Sequence, residues 1–300
     1  MVALSFLLEI YCEGFGMKFV KMEGCGNDYV YINGFEEQIE DKPEFVRKLS
    51  DRHFYIGSDG VIFINPSKIA DFEMEMWNAD GTRAEMCGNG IRCVAKYVYD
   101  FGLTDKTELT IESFGKIKYI TIFLKDGKAD MIQVDMGEPI LVANEIPVVS
   151  ESEKVISESI NVLGNDYKMT CVSMGNPHAV VFMDDYKDTL GDIETFDIET
   201  IGPAFENHER FPKRVNAEFV KIIDRKNVRM RVWERGTGET LCCGTGCCAT
   251  ATACILNGLT DDEVTVNVTG GKVIIRWDKE TGHLFMTGPA RVSFIGEIEI

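Results

Sequence analysis

Two tryptophans each stand ten residues ahead of a cysteine, and each of those cysteines opens a Cys-Gly-x-Gly pattern. The first copy, from Trp77, reads W-N-A-D-G-T-R-A-E-M-C-G-N-G; the second, from Trp233, reads W-E-R-G-T-G-E-T-L-C-C-G-T-G. Upstream of each lies a Gly-Asn pair, in Gly26-Asn27-Asp28-Tyr29 and in Gly175-Asn176-Pro177-His178. One short motif recurs easily by chance; two motifs in the same order at similar separations do not. Internal self-similarity of this kind constrains the fold before any other feature. The chain reads as two homologous domains facing each other, 17–135 and 136–289, joined near 136–139.

Local patterns agree with an α+β chain dominated by strands. Short β-branched or apolar runs bounded by Gly, Asn or Asp predict strands at Tyr29–Asn33, Gly60–Asn65, Thr107–Glu112, Lys118–Leu124 and Met131–Met136. Asp126-Gly127 predicts a hairpin turn between the last two. Further strands are expected at Glu263–Val268, Lys272–Trp277 and Ala290–Ile300. Helical spacing of apolar residues predicts helices at Pro43–Arg52 and Gly90–Tyr99. A third, Gly246–Leu256, is rich in Ala, Thr and Cys and stops at Asn257-Gly258. Each half thus carries many strands and one small-residue helix.

Each Cys-Gly-x-Gly follows a predicted strand and opens a predicted helix. That places the Cys87 and Cys243 thiols at helix N-termini, where unpaired N–H groups and the helix dipole favour negative charge. A lowered thiol pKa is the expectation there. Two such sites related by a pseudo-twofold would aim two thiols and two sets of N–H donors into one cleft. Moving a proton from one face of an amino-acid Cα to the other needs two bases, one starting as thiolate and one as thiol. The enediolate that develops on the carboxylate needs preorganised donors. The N–H groups of Gly88 and Asn89, and of Gly244 and Thr245, are the candidates. No pyridoxal lysine motif is evident, so no cofactor is expected. The remaining cysteines read as buried thiols. Cys242 adjoins Cys243, and only the repeat alignment selects Cys243 as the partner of Cys87; Cys242 is expected to pack elsewhere.

Composition narrows the alternatives. A formal net charge of −18 on 300 residues repels phosphate backbones and anionic membranes, so nucleic-acid binding is excluded as a general function. No uncharged apolar run is long enough to span a bilayer. Residues 1–16, MVALSFLLEIYCEGFG, have no basic residue ahead of their short apolar stretch and so do not read as a secretory signal. They are either an extension ahead of the domain that opens at Met17 or a genuine extra strand. Without an export signal the ten cysteines should be reduced and cytoplasmic. None form C-x-x-C, the four histidines (His53, His178, His208, His283) are scattered, and no metal is expected.

The segments GCGNDYVYIN, WNADGTRAEMCGNGIRC, SMGNPHAV, RVNAEFV and WERGTGETLCCGTG together resemble the diaminopimelate epimerase family over residues 17–300. The resemblance implies that Cys87 and Cys243 are the paired acid/base residues, with His178 and Glu234 lying near them. It implies a substrate-binding set of Asn27, Asn78, Asn176, Asn216, Glu234 and Arg235, together with the donors after each cysteine. Physical chemistry fits those roles: Arg235 can clamp a distal carboxylate, Glu234 can receive an ammonium, and the asparagines offer donors and acceptors. The implied fold is two domains, each a curled, mostly antiparallel sheet around a central helix, with 290–300 returning to the first domain. A homodimer and a role in lysine and peptidoglycan precursor synthesis are also implied. Two departures are visible. Some family members carry a glutamine where Gly57-Ser58-Asp59-Gly60 has Gly60, and the second motif reads Leu-Cys-Cys-Gly where Ala-Cys-Gly is commoner.

Two other readings compete. A proline, hydroxyproline or histidine racemase on the same scaffold would keep the cysteines, but proline offers nothing for Arg235, Glu234 and Asn216 to bind. A metal or redox protein built on the Cys242–Cys248 cluster would leave the twofold repeat unexplained.

Overall fold

A computed structural model describes residues 16–299; the expectation for residues 1–16 lies, Gly16 aside, outside them. The first half runs β1 (Met17–Gly24), β2 (Asn27–Asn33), α1 (Lys42–Ser50), β3 (Gly60–Asn65), β4 (Phe72–Asn78), α2 (Gly88–Asp100), β5 (Glu108–Ser113), β6 (Lys116–Lys125) and β7 (Lys128–Gly137). The second half opens with β8 (Glu158–Val162), β9 (Asn165–Ser173) and β10 (Pro177–Phe182). A 3-10 turn, then α3 (Lys187–Leu190) and α4 (Ile198–Glu206), lead to β11 (Asn216–Asp224), β12 (Asn227–Glu234) and β13 (Gly238–Thr240). It ends in α5 (Gly244–Leu256), β14 (Glu263–Val268), β15 (Gly271–Trp277) and β16 (Leu284–Pro289), after which comes β17 (Arg291–Ile298).

Strand pairing displays the repeat directly. In the first half β1–β2 is antiparallel, β2–β3 parallel, β3–β4 antiparallel, β4–β5 parallel, and β5–β6–β7 antiparallel. The second half repeats that order as β9–β10, β10–β11, β11–β12, β12–β14 and β14–β15–β16. The two ladders join where β7 pairs antiparallel with β16. At the outer edges β17 pairs with β1, in the place that β8 takes beside β9. The β6–β7 hairpin turns through Asp126 and Gly127, both at positive φ (51° and 75°), the backbone a tight two-residue hairpin demands.

Each parallel step needs a crossover, and each crossover from β4 to β5 or from β12 to β14 carries the helix that fills its half. Helix α2 buries Ile91, Val94, Ala95 and Val98 completely, each worth about 1.5–3 kcal/mol for the larger side chains. Helix α5 is buried almost all round, from Gly246 to Cys254. Its Ala, Cys and Thr side chains fit a helix enclosed by sheet, and Thr252 Oγ1 satisfies itself by donating to the Cys248 carbonyl at 2.9 Å. Among the described residues no helix is long and apolar enough to cross a membrane.

Candidate active site

Cys87 and Cys243 are each the N-cap residue of the central helix of their half. Both have extended backbones, φ −132° and ψ 116° for Cys87, φ −107° and ψ 112° for Cys243. Each Sγ accepts a hydrogen bond from the N–H three residues on, Gly90 at 3.3 Å and Gly246 at 3.4 Å. Cysteine thus occupies the position where Ser or Asp ordinarily caps a helix. The two helix starts meet. A Cβ placed on Gly244 would lie 3.6 Å from the Gly88 Cα, so the two backbones come within van der Waals reach of each other. Both cysteines line one cleft of about 1720 Å³, with Gly88, Asn89, Gly244 and Thr245 around them.

Asn27, Asn78, Asn176, Glu234 and Arg235 line the same cleft. The Cys87 thiol donates to Asn27 Oδ1 at 3.0 Å, and Asn27 Nδ2 donates to Asp59 Oδ2 at 2.6 Å. Asp59, one residue before the departure at Gly60, therefore fixes the amide that faces Cys87. Arg52 in turn holds both Asp28 and Asp59. Across the cleft, Cys243 Sγ is 3.4 Å from Thr245 Oγ1, which accepts from Asn176 Nδ2 at 3.2 Å. Glu234 accepts a hydrogen bond from the Thr240 hydroxyl, and the Asn78 amide donates to Thr82 Oγ1 at 3.1 Å.

Two of the residues singled out from the sequence stand behind the cleft wall. Asn216 is buried; its Oδ1 accepts from the Arg235 N–H at 2.8 Å and its Nδ2 donates to the Pro177 carbonyl at 3.0 Å. It sets the backbone that presents Arg235. His178 is also fully buried, with Nε2 3.1 Å from Asn176 Oδ1 and Nδ1 2.6 Å from Glu218 Oε1. Glu218 has no motif to mark it: it sits between Ala217 and Phe219 in β11, and only the parallel pairing of β10 with β11 brings it to His178. Cys242 packs away from Cys243, its Sγ 3.7 Å from Asn89 Oδ1.

The expected lowering of the thiol pKa is not what the structure holds. Burial pushes the Cys87 thiol up, against the opposing pull of the Gly90 and Asn89 N–H groups and of the Arg92 charge. Cys243 is pushed well above the ordinary range by burial and then by the carboxylates of Glu234 and Glu218, with Thr245 and the Gly246 N–H opposing. Desolvation of the charged form outweighs the donors of one helix start.

The same fold is found in solved structures of distant sequence. A phenazine biosynthesis protein of the PhzF family from Bacillus anthracis superposes with a TM-score of 0.67 at 18% identity, covering 96% of this chain and all of that one. A hydroxyproline epimerase from Agrobacterium vitis gives 0.65 at 13% identity, covering 95% of this chain and 91% of that one. These likenesses show the shared two-domain fold, and sequence says which family within it. The pattern of the diaminopimelate epimerase family matches residues 19–142 and 170–293, one stretch in each half. Diaminopimelate epimerase from Agathobacter rectalis is 56% identical over 291 residues, covering 95% of this chain and 100% of that protein. The enzyme of the same name from Acetivibrio thermocellus is 51% identical over 284 residues, covering 95% and 99%. The chain belongs to the diaminopimelate epimerase family and is an epimerase.

Proposed function

We propose that the chain interconverts LL- and meso-diaminopimelate by a two-base mechanism, with Cys87 and Cys243 on opposite faces of the substrate Cα. The observation that carries this reading is the pair of N-capping cysteines at two abutting helix starts in one cleft. One thiolate takes the α-proton, and the electron pair moves into the carboxylate as an enediolate. The N–H groups of Gly88, Asn89, Gly244 and Thr245 receive that charge. The opposite thiol then delivers its proton to the other face, leaving the first cysteine as thiol and the second as thiolate. The substrate's α-ammonium supports the thiolate that burial opposes, since a cation nearby favours the charged form. Glu234 and the cleft asparagines hold the ammonium groups, and Arg235 clamps the distal carboxylate. The group transfer is internal to substrate and protein, so no cofactor is invoked.

The proposed units are 17–135, completed by the strand at 290–300, and 136–289. Family membership supports reading the chain as a cytoplasmic homodimer that supplies lysine and peptidoglycan precursors. The test is loss of the α-proton NMR signal in deuterated water with reduced enzyme. Exchange is expected with LL-diaminopimelate and not with L-proline or L-histidine. Exchange only with one of the latter would keep the mechanism and discard the substrate; epimerisation surviving Cys87→Ala or Cys243→Ala would discard the mechanism.

A further inference from the structure

Arg92 lies one turn into α2 and has no exposed surface at all. Its guanidinium donates to the Gly88 carbonyl at 3.1 Å, the Pro289 carbonyl at 3.1 Å and Asn89 Oδ1 at 2.9 Å. Its remaining contacts are Cys25 Sγ and Met286 Sδ, each at 3.7 Å. Every partner is neutral; among the described residues no carboxylate is paired with it. The position compounds the electrostatic cost. The guanidinium folds back to the Gly88 carbonyl, which sets its charge beside the positive end of the α2 dipole. A buried charge without a counter-ion is among the least favourable arrangements a fold can hold.

The surroundings are nonetheless shaped for this side chain. A Cβ on Gly288 would come within 3.0 Å of Arg92 Nε, and one on Gly24 within 3.3 Å of Nη2. The Asn89 side chain held by Arg92 reaches across and donates from Nδ2 to the Cys242 carbonyl at 3.2 Å, the residue before Cys243. One guanidinium therefore braces the start of α2, strand β16 and, through Asn89, the peptide that leads into α5.

We propose that Arg92 is a positioning residue for the epimerisation, supplying an unneutralised buried positive charge behind the Cys87 helix start and locking Asn89 into the link between the two cysteines. The missing counter-charge is the one the reaction creates: the thiolate at Cys87 and the carboxylate and enediolate held at the two helix starts. The repeat supports a dedicated role. The position equivalent to Arg92 in the second half, five residues after its cysteine, is Cys248. Only one half carries the cation, and it stands behind the wall of a cleft that both halves line. The inference rests on Cys87 being an acid/base group.

The charged and titratable groups facing Cys87 are Arg92 and Cys93 from its own helix, Tyr29 and Tyr31 from β2, and Glu234 from β12. Arg92→Gln should remove one cation from this set and leave the rest. The measurement is the pH dependence of iodoacetamide alkylation, resolved by peptide mass spectrometry at Cys87 and Cys243, on full-length reduced enzyme. In Arg92→Gln the Cys87 midpoint should rise by about one pH unit, as loss of a nearby opposite charge requires. The turnover number should fall about tenfold to a hundredfold. Arg92→Lys keeps the charge only while its ammonium is protonated, so its turnover at neutral pH should stay nearer that of the unsubstituted enzyme than that of Arg92→Gln does. A buried ammonium sheds its proton where a guanidinium does not. Arg92→Lys should therefore show a new alkaline decline in turnover, and this arm decides the matter should Arg92→Gln not fold. An unmoved Cys87 midpoint in folded Arg92→Gln, or an unchanged pH profile in Arg92→Lys, would overturn the proposal and leave Arg92 as packing. Epimerisation surviving Cys87→Ala would instead remove the role of Cys87, which tells the two failures apart.

Discussion

Beneath the Cys87 helix start the neighbouring strand contributes Ile62, whose Cδ1 lies 2.8 Å from where a Cβ on Gly90 would stand. Beneath the Cys243 helix start the corresponding strand contributes Glu218, whose Oε1 lies 2.8 Å from the same point on Gly246. The rest of each surround differs to match. Tyr29 follows Asn27 by two residues where His178 follows Asn176, and Arg92 follows Cys87 by five where Cys248 follows Cys243. The first half sets Ile62, Tyr29 and a buried cation, Arg92, behind its thiol. The second is a buried acid–histidine pair, with the Glu234 carboxylate adding to its negative charge at Cys243. The backbone preserves the twofold that a two-faced reaction requires, while the side chains give the two thiols unequal surroundings. An epimerase that starts with one thiolate and one thiol needs that inequality as much as it needs the symmetry.

The largest expected effect ignores the difference between the halves. Cys87→Ala and Cys243→Ala should each lower turnover by about 10³-fold, and the double variant should be little worse, since the two act as a unit. Steady-state rates in both directions measure this; one alanine variant keeping half its activity would break the twofold reading. Next in size is a variant that makes the halves alike. Glu218→Ile copies Ile62 and strands His178 without its acceptor, which should cost about 3 kcal/mol of stability in urea titrations. Glu218→Ile with His178→Tyr copies both members of the first half and should recover part of that loss. No recovery in the double variant would mean that Glu218 is held by something other than His178. Smaller still is Gly88→Ala. Its new Cβ would press on the Met286 methyl at 2.8 Å, a flexible end that can swing aside, so the fold should survive. The seam between the helix starts would be disturbed, and kcat/KM should fall about tenfold to a hundredfold. An unchanged kcat/KM would show that the close approach of the two glycines is not used.

The architecture was open to sequence reasoning wherever a pattern repeats or a local rule is strong. The two Trp-to-Cys spacings, the Asp126-Gly127 turn and the strand periodicity of Gly60–Asn65 all have structural counterparts. Helix α4 did not announce itself, because Gly202 and Pro203 lie inside it and break the helical signal. Strand β4 alternates Phe72, Met74 and Met76 with Glu73 and Glu75, yet it went unread among the acidic residues around it. The site was legible at the level of its two thiols, which share a motif, and not at the level of their surroundings. Arg92 and Glu218 look like ordinary charged positions within an amphipathic helix and a strand. What makes them matter is burial, which arises from pairings between distant segments. The direction of the thiol pKa shifts was misjudged for the same reason: a helix start is visible in sequence, and the desolvation that outweighs it is not.

Burial also sets a test of the second half as a store of protonated thiols. Cys93 in α2, and Cys248 and Cys254 in α5, are each pushed by burial from an ordinary value near 9 up to about 12. The protonated thiol is the form the fold accepts, so in this range the native state holds protons that the unfolded chain has released. Stability is then fully present below about 9 and falls as pH rises towards 12, each thiol contributing a slope of about 1.4 kcal/mol per pH unit. Two of the three lie in α5, so Cys248→Ala with Cys254→Ala should flatten the alkaline decline about twice as much as Cys93→Ala. Urea midpoints of reduced protein across an alkaline pH series measure the slopes. The substitutions lower stability at neutral pH through lost packing, so the slope and not the midpoint carries the comparison. Equal slopes in all three proteins would mean that the buried thiols ionise within the fold, and that desolvation around α5 is weaker than its packing implies.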